Sequence, residues 1–151
     1  MPAAPKSAAR HDMSVILVTG SYDHEIRFWE AWSGICSRTI SRTGETGQVN
    51  RLAISPDKRL LAAAIHKKVN IYEIASPSNE PLVSFESHTM NVSAVAFHSE
   101  GKWLVTASED GTIKIWDLRY AMLFARSRLE FTAFPPKAPR PFIEPTTTVL
   151  Q

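Results

Sequence analysis

Leu104-Val105-Thr106-Ala107-Ser108-Glu109-Asp110-Gly111-Thr112-Ile113-Lys114-Ile115-Trp116-Asp117 repeats, without a gap, the stretch Leu17-Val18-Thr19-Gly20-Ser21-Tyr22-Asp23-His24-Glu25-Ile26-Arg27-Phe28-Trp29-Glu30 that stands 87 residues before it. Between them lies a third copy, Leu61-Ala62-Ala63-Ala64 followed by Val69-Asn70-Ile71-Tyr72-Glu73, so that Ile26, Val69 and Ile113 recur at spacings of 43 and 44. The upstream half of the unit repeats as well. Val49-Asn50-Arg51-Leu52-Ala53-Ile54-Ser55-Pro56-Asp57 aligns with Val92-Ser93-Ala94-Val95-Ala96-Phe97-His98-Ser99-Glu100 at an offset of 43. Each half reads as strand. Val49, Leu52 and Ile54, like Val92, Val95 and Phe97, show one apolar spacing of three and then alternate, and a Pro-Asp or Glu-Gly turn follows. A small apolar strand comes next, then a hairpin-type turn such as Glu109 to Thr112, then an amphipathic strand marked by Ile113, Ile115 and Leu118. Weaker fourth strands are expected over Ile35 to Ile40 and Pro81 to Glu86, and no amphipathic helix of useful length is expected. Four short strands every 43 or 44 residues predict an all-β fold of propeller blades.

Composition narrows the function classes. The chain has 151 residues, 44% hydrophobic and 21% charged, an ordinary globular balance. Seventeen basic and fifteen acidic residues leave a net charge of only +2, which argues against a polybasic binder of nucleic acid or anionic membrane. One cysteine, Cys36, excludes an intrachain disulfide and fits a reducing, cytoplasmic setting. No apolar run approaches the roughly 18 residues a membrane helix needs, so no membrane insertion is expected.

The unit resembles a known family. Val92 to Leu118, with Ser108-Glu109-Asp110-Gly111-Thr112 at its turn and Trp116-Asp117 near its end, is similar to a WD40 repeat, and His88 stands where that family has the histidine of its Gly-His pair. Ser21-Tyr22-Asp23-His24, Arg27-Phe28-Trp29, Ser33-Gly34-Ile35-Cys36, Gln48-Val49-Asn50, Leu61 to Ala64 and Ser108 to Arg119 resemble the small WD-repeat, G-protein-β-subunit-like subunit of the two target-of-rapamycin (TOR) kinase complexes. The resemblance runs from about Met13 to Arg119 and stops there. It implies a seven-bladed propeller, of which this chain holds about three four-stranded blades. The expected organisation is an N-terminal extension over 1–12, blade one over 13–42 without its inner strand, blade two over 43–86, blade three over 87–130 and a Pro-rich tail over 131–151. Ala121 to Leu129 is expected to add an outer strand and Leu129 to Phe134 a weak one.

The resemblance also implies a buried hydrogen-bond chain made of His88, Ser108, Asp110 and Trp116, with Ser21, Asp23 and Trp29 as a partial set in blade one. Stacked blades bury both faces, so polar groups between them need partners. A histidine, a serine and an aspartate also spell a hydrolase triad. However, no Gly-x-Ser-x-Gly elbow occurs, and Ser108 and Asp110 stand two apart at a strand end, so the set reads as structural and the chain as no enzyme. His24, His66, His88 and His98 lack ligand spacing and no Gly-rich phosphate loop is present, so neither metal nor cofactor is expected. Cys36, on a predicted strand, reads as a buried thiol, and Trp32 and Trp103 read as packing residues.

In WD proteins the residue before the turn aspartate and those opening the inner strand often contact partners. On this sequence these are Tyr22, Glu109 and Ile65, with Gln48 and Asn91, the alternative being solvated turn residues. The resemblance implies a non-catalytic adaptor that docks on the TOR kinase catalytic subunit and supports nutrient-responsive growth signalling. The alternatives are a truncated, non-functional or interfering fragment whose end blades expose apolar faces, and a generic peptide-binding WD module.

Overall fold

The computed structural model describes residues 15–41 and 47–127. Ten strands form three antiparallel sheets in simple meander order. The first sheet holds β1 (Ile16–Gly20), β2 (Ile26–Glu30) and β3 (Cys36–Ile40). The second holds β4 (Val49–Ile54), β5 (Leu60–Ile65), β6 (Lys68–Glu73) and β7 (Val83–Glu86). The third holds β8 (Val92–Phe97), β9 (Trp103–Ser108) and β10 (Ile113–Asp117), followed by one helix, α1 (Leu118–Ser127). We call the sheets blades one, two and three. The expected extension over 1–12 and the tail over 131–151 lie outside the described residues.

The apolar spacing of three at the start of each inner strand has a backbone cause. β4 pairs with β5 through a register shift between Val49 and Arg51, and β8 with β9 through one between Val92 and Ala94. Asn50 and Ser93 are the extra residues of two equivalent bulges, and beyond them the strands alternate normally. The turns repeat as well. Lys58 (φ 59°) and Gly101 (φ 68°) occupy the same left-handed corner between the first two strands of blades two and three. His24, His66 and Gly111 do so between the next two strands, at φ of 70°, 52° and 78°.

Blade two sits between two cores. On β5, Leu61, Ala63 and Ile65 join Tyr72 against Ile26, Phe28 and Ile40 of blade one. The alternate residues Ala62 and Ala64 join Val69, Ile71 and Phe85 against Val92, Leu104 and Trp116 of blade three. A strand buried on both faces needs an unbroken apolar run, which Leu60–Ile65 supplies, and its three alanines let the sheets approach closely. Phe85 stacks on Trp116 with ring centroids 4.6 Å apart. Each blade therefore has a leading face turned to the blade before it and a trailing face turned to the blade after it.

Two expectations need correction. The outer strand predicted to begin at Ala121 is a helix over Leu118–Ser127, so a useful helix does exist. Leu118, Ala121 and Met122 fall on one helical face and pack into the core between blades two and three. The Asp117 carboxylate accepts the Arg119 N–H at 3.0 Å and caps the first turn. Consequently only blade two has four strands, and blades one and three have three each among the described residues.

Candidate functional site: a hydrogen-bonded rim

The buried polar chain exists, but it runs through a hydroxyl other than the one expected. His88 Nδ1 lies 3.0 Å from Asp110 Oδ2, and His88 Nε2 lies 2.8 Å from Thr106 Oγ1. Trp116 Nε1 donates to the same Thr106 oxygen at 3.0 Å. A carboxylate only accepts, so Nδ1 carries the imidazole proton and donates to Asp110. Nε2 then accepts from the Thr106 hydroxyl, which in turn accepts from the indole N–H. Each polar group in the chain therefore has a partner. The Ser108 hydroxyl instead donates to the Met90 carbonyl at 3.1 Å and accepts the Asp110 N–H at 3.2 Å. It does not reach His88, and the geometry of a triad is not assembled.

The register explains the substitution of roles. Trp116 pairs with Leu104 across β9 and β10, so its indole shares a face with Leu104 and Thr106 on the leading side of the blade. Ser108 stands one step further, at the strand end beside the turn. Blade one repeats the pattern: Trp29 Nε1 donates to Thr19 Oγ1 at 2.9 Å, and neither Ser21 nor Asp23 takes part. There Asp23 pairs with Arg27 at 2.7 Å and accepts the Glu25 N–H at 3.1 Å. The Arg27 guanidinium holds the Asp23 carboxyl below its ordinary range. Thr19 and Thr106 occupy matching places in the 87-residue repeat, so the signal was in the sequence beside the one that was read.

Asp110 is the anchor. Burial alone pushes its carboxyl up, but bonds from the Thr112 hydroxyl, the Thr89 and Thr112 N–H groups and His88 together hold it well below the carboxylate range. Those bonds measure 2.6 Å from the hydroxyl, 3.0 Å from Thr89 N and 2.9 Å from Thr112 N. Blade two solves the same problem differently. Asn70 Nδ2 donates to the Tyr72 hydroxyl at 3.1 Å, and the Ser84 hydroxyl bonds to Asn70 Oδ1. Sequence reading missed this network, although Tyr72 in the tryptophan place marks it.

The β1–β2, β5–β6 and β9–β10 turns and the segments that open β4 and β8 share one rim, knitted by hydrogen bonds between blades. Val49 N–H donates to the Ser21 carbonyl at 3.2 Å, and Val92 N–H to the His66 carbonyl at 2.7 Å. Gly47 N–H donates to His24 Nδ1 at 3.2 Å, and His66 Nδ1 lies 2.8 Å from Asn91 Oδ1. Asn91 Nδ2 continues to Glu109 Oε2 at 3.2 Å.

This rim carries most of the residues predicted to meet a partner. Tyr22 projects from the β1–β2 turn with 81% of its surface exposed. Glu109 is exposed on the β9–β10 turn, and Gln48 and Asn91 are half-buried at the starts of β4 and β8. Ile65 does not belong with them. It is 7% exposed, with its side chain in the core between blades one and two, because the last residue of β5 faces inward. Cys36 is also corrected: it is exposed, since β3 is an edge strand of its sheet. Trp32 and Trp103 are exposed, at 84% and 43%, with the Trp103 ring 5.5 Å from that of His98.

Comparison with known proteins agrees with the blade geometry. Residues 79–117 match the family described as WD domain, G-beta repeat. The fold is similar to the solved WD40 repeats of RRP9, at a TM-score of 0.63 and 28% identity over 70% of this chain and 33% of that one. The solved U3-55K structure is similar at a TM-score of 0.62, with the same identity and coverage. Among curated proteins it is 61% identical over 106 residues to the target of rapamycin complex subunit wat1 of Schizosaccharomyces pombe, covering 70% of this chain and 33% of that protein. It is 55% identical over 107 residues to the target of rapamycin complex subunit LST8 of Saccharomyces cerevisiae, covering 71% and 35%. The LST8-1 subunit of Arabidopsis thaliana is 53% identical over 106 residues, covering 70% and 34%. The chain thus spans about a third of the length of the curated relatives it matches.

Proposed function

We propose that this WD40 chain is a non-catalytic adaptor of TOR kinase complexes, docking on the kinase catalytic subunit from the cytoplasm. The observation that carries the reading is the 61% identity over 106 residues to a subunit named for the TOR complex. The turns of the rim are held in place by bonds to the neighbouring blade. A rigid rim presenting one large exposed aromatic, Tyr22, suits a protein contact, because a tyrosine gives contact area at low entropic cost. The group most like a catalytic set supports the same reading: His88, Thr106 and Asp110 are engaged with one another, with Trp116 and with the Thr89 and Thr112 groups that hold Asp110. No helix among the described residues is long and apolar enough to cross a membrane.

The test is a pull-down of the TOR kinase by this chain, with Tyr22→Ala as the rim variant. Stoichiometric capture that weakens about tenfold in the variant supports the adaptor and its docking edge. Failure of the folded wild-type chain to capture the kinase refutes it.

A further inference from the structure

We infer that Ser76, on the connection between β6 and β7, is a phosphorylation site for a proline-directed protein kinase. The dipeptide Ser-Pro occurs twice in the sequence, as Ser55-Pro56 and Ser76-Pro77, and Thr-Pro does not occur. The structure treats the two serines in opposite ways. Ser55 is 4% exposed inside the β4–β5 turn, where its hydroxyl donates to Asp57 Oδ1 at 2.5 Å and accepts the Leu60 N–H at 2.9 Å. Ser76 lies on residues 74–82, the longest connection between paired strands among the described residues. It is half-buried, and Pro77, Ser78, Asn79 and Glu80 after it are exposed. Its hydroxyl accepts the Ser78 N–H at 3.2 Å, a bond within the loop and not into the core.

Arg38 of blade one holds this loop in a presenting shape. Its guanidinium donates to the Glu73 and Ile74 carbonyls at 3.2 and 3.3 Å, and to the Ser78 carbonyl. The backbone is thus fastened on either side of Ser76 and Pro77, which bridge the fixed points. Blade two is packed against a neighbouring blade on both faces, so the exposure of this loop does not depend on any further blade. A proline after the serine carries no N–H, so a kinase that offers that position no hydrogen-bond acceptor selects for it. The transfer joins Ser76 Oγ to the terminal phosphorus of a nucleoside triphosphate held by the kinase. The bond from that phosphorus to the departing diphosphate breaks, and the hydroxyl proton passes to the kinase's catalytic carboxylate. The product carries about −1.5 to −2 charges at pH 7. A cation is at hand on the adjoining β4–β5 turn: the Arg59 carbonyl accepts the Ile74 N–H at 2.9 Å, and the Arg59 side chain is 65% exposed, 4.0 Å from the Glu73 carboxylate.

Phosphate incorporation into the full chain from magnesium-ATP tests this, with a mitogen-activated protein kinase and a cyclin-dependent kinase as two proline-directed probes. Mass spectrometry of the digested chain locates the phosphate, and near-ultraviolet circular dichroism verifies that each protein used keeps its packed tryptophans. The label is expected at Ser76. It is not expected at Ser55, which has the proline but is buried, nor at Ser78, which shares the exposed loop but precedes Asn79. Ser76→Ala is expected to abolish the label, Pro77→Ala to slow it about tenfold or more, and Ser78→Ala to leave it at the wild-type rate. A label on Ser55 or Ser78 in place of Ser76 overturns the inference, as does labelling that Pro77→Ala leaves at the wild-type rate. So does a folded chain that neither kinase labels.

Discussion

Replacing Thr106 by valine keeps the shape of the side chain and removes one hydroxyl. In the structure that hydroxyl serves two buried groups, Trp116 Nε1 at 3.0 Å and His88 Nε2 at 2.8 Å. Trp116 is 2% exposed and the His88 side chain 1%, so water replaces neither bond. A buried donor or acceptor left without a partner costs about 1–3 kcal/mol, which puts Thr106→Val at about 2–4 kcal/mol for the pair. For a chain of this size that is on the order of 10 °C in the melting midpoint. Ser108→Ala removes a hydroxyl at the rim, where solvent is close, and is expected to cost less than about 1 kcal/mol. The assay is urea unfolding followed by tryptophan fluorescence, with both variants measured against the wild-type chain. Adding Trp116→Phe to Thr106→Val removes the stranded indole donor, so the double variant is expected to lose less than the sum of the two single ones. If Ser108→Ala costs as much as Thr106→Val, or if the double variant is additive, the chain through Thr106 is not what holds this blade together.

Two further outcomes follow from the joints and the anchor. A Cβ at Gly20 would stand 2.5 Å from Val49 Cγ1 across the joint between blades one and two, so Gly20→Ala is expected to destabilise by about 1–3 kcal/mol in the same unfolding assay, whereas Gly34→Ala, with open space around it, costs only its left-handed backbone strain. Asp110 titrates below its ordinary range in the folded chain, so its contribution is full above the unfolded carboxylate value of about 3.9 and is lost as pH falls below it. Asp57, bonded by the Ser55 hydroxyl and the Arg59 N–H, and Asp117, bonded by Arg119, are lowered as well and act with the same sign. Stability measured from neutral pH down to pH 3 is expected to fall, and Asp110→Asn is expected to be less stable at neutral pH with a shallower acid limb; an unchanged acid limb would contradict the anchoring role.

How much of this was legible follows from which physical signal each feature leaves. The blades were readable because period-two alternation and turn residues recur in phase, and even the apolar spacing of three at Val49 and Val92 recorded a bulge. The double burial of β5 was written in Leu60–Ile65 as a run with no polar break. The polar chain was only half readable. Resemblance supplied His88, Asp110 and Trp116, but the choice between Thr106 and Ser108, which share a face, depends on strand register: Trp116 stands opposite Leu104, so Thr106 is its diagonal neighbour and Ser108 lies one step further along. Ile65 failed on its face: it closes a strand whose odd-numbered residues pack against blade one. The helix over Leu118–Ser127 was overlooked because it begins at Leu118 directly after the strand that ends at Asp117, with no break in the apolar pattern between them.

The two cores and the rim make different demands on the chain, and the difference bears on where partner binding resides. Blade faces are apolar and interchangeable: the same packing recurs at both joints with Tyr72 replacing tryptophan and alanine replacing threonine. Such faces specify stacking but discriminate poorly between partners, since burying hydrocarbon carries little directional information. The rim is held by bonds to particular atoms, among them His24 to Gly47 and His66 to Asn91. Histidines in left-handed conformation at both turns fix the backbone on either side of Tyr22 and Lys67 in place. Discrimination between protein partners therefore belongs to the rim. Tyr22, 81% exposed, packs little against the fold, so Tyr22→Ala is expected to weaken capture of a partner while leaving the unfolding free energy within about 0.5 kcal/mol of the wild-type chain; a large loss of stability would show that Tyr22 supports the fold instead.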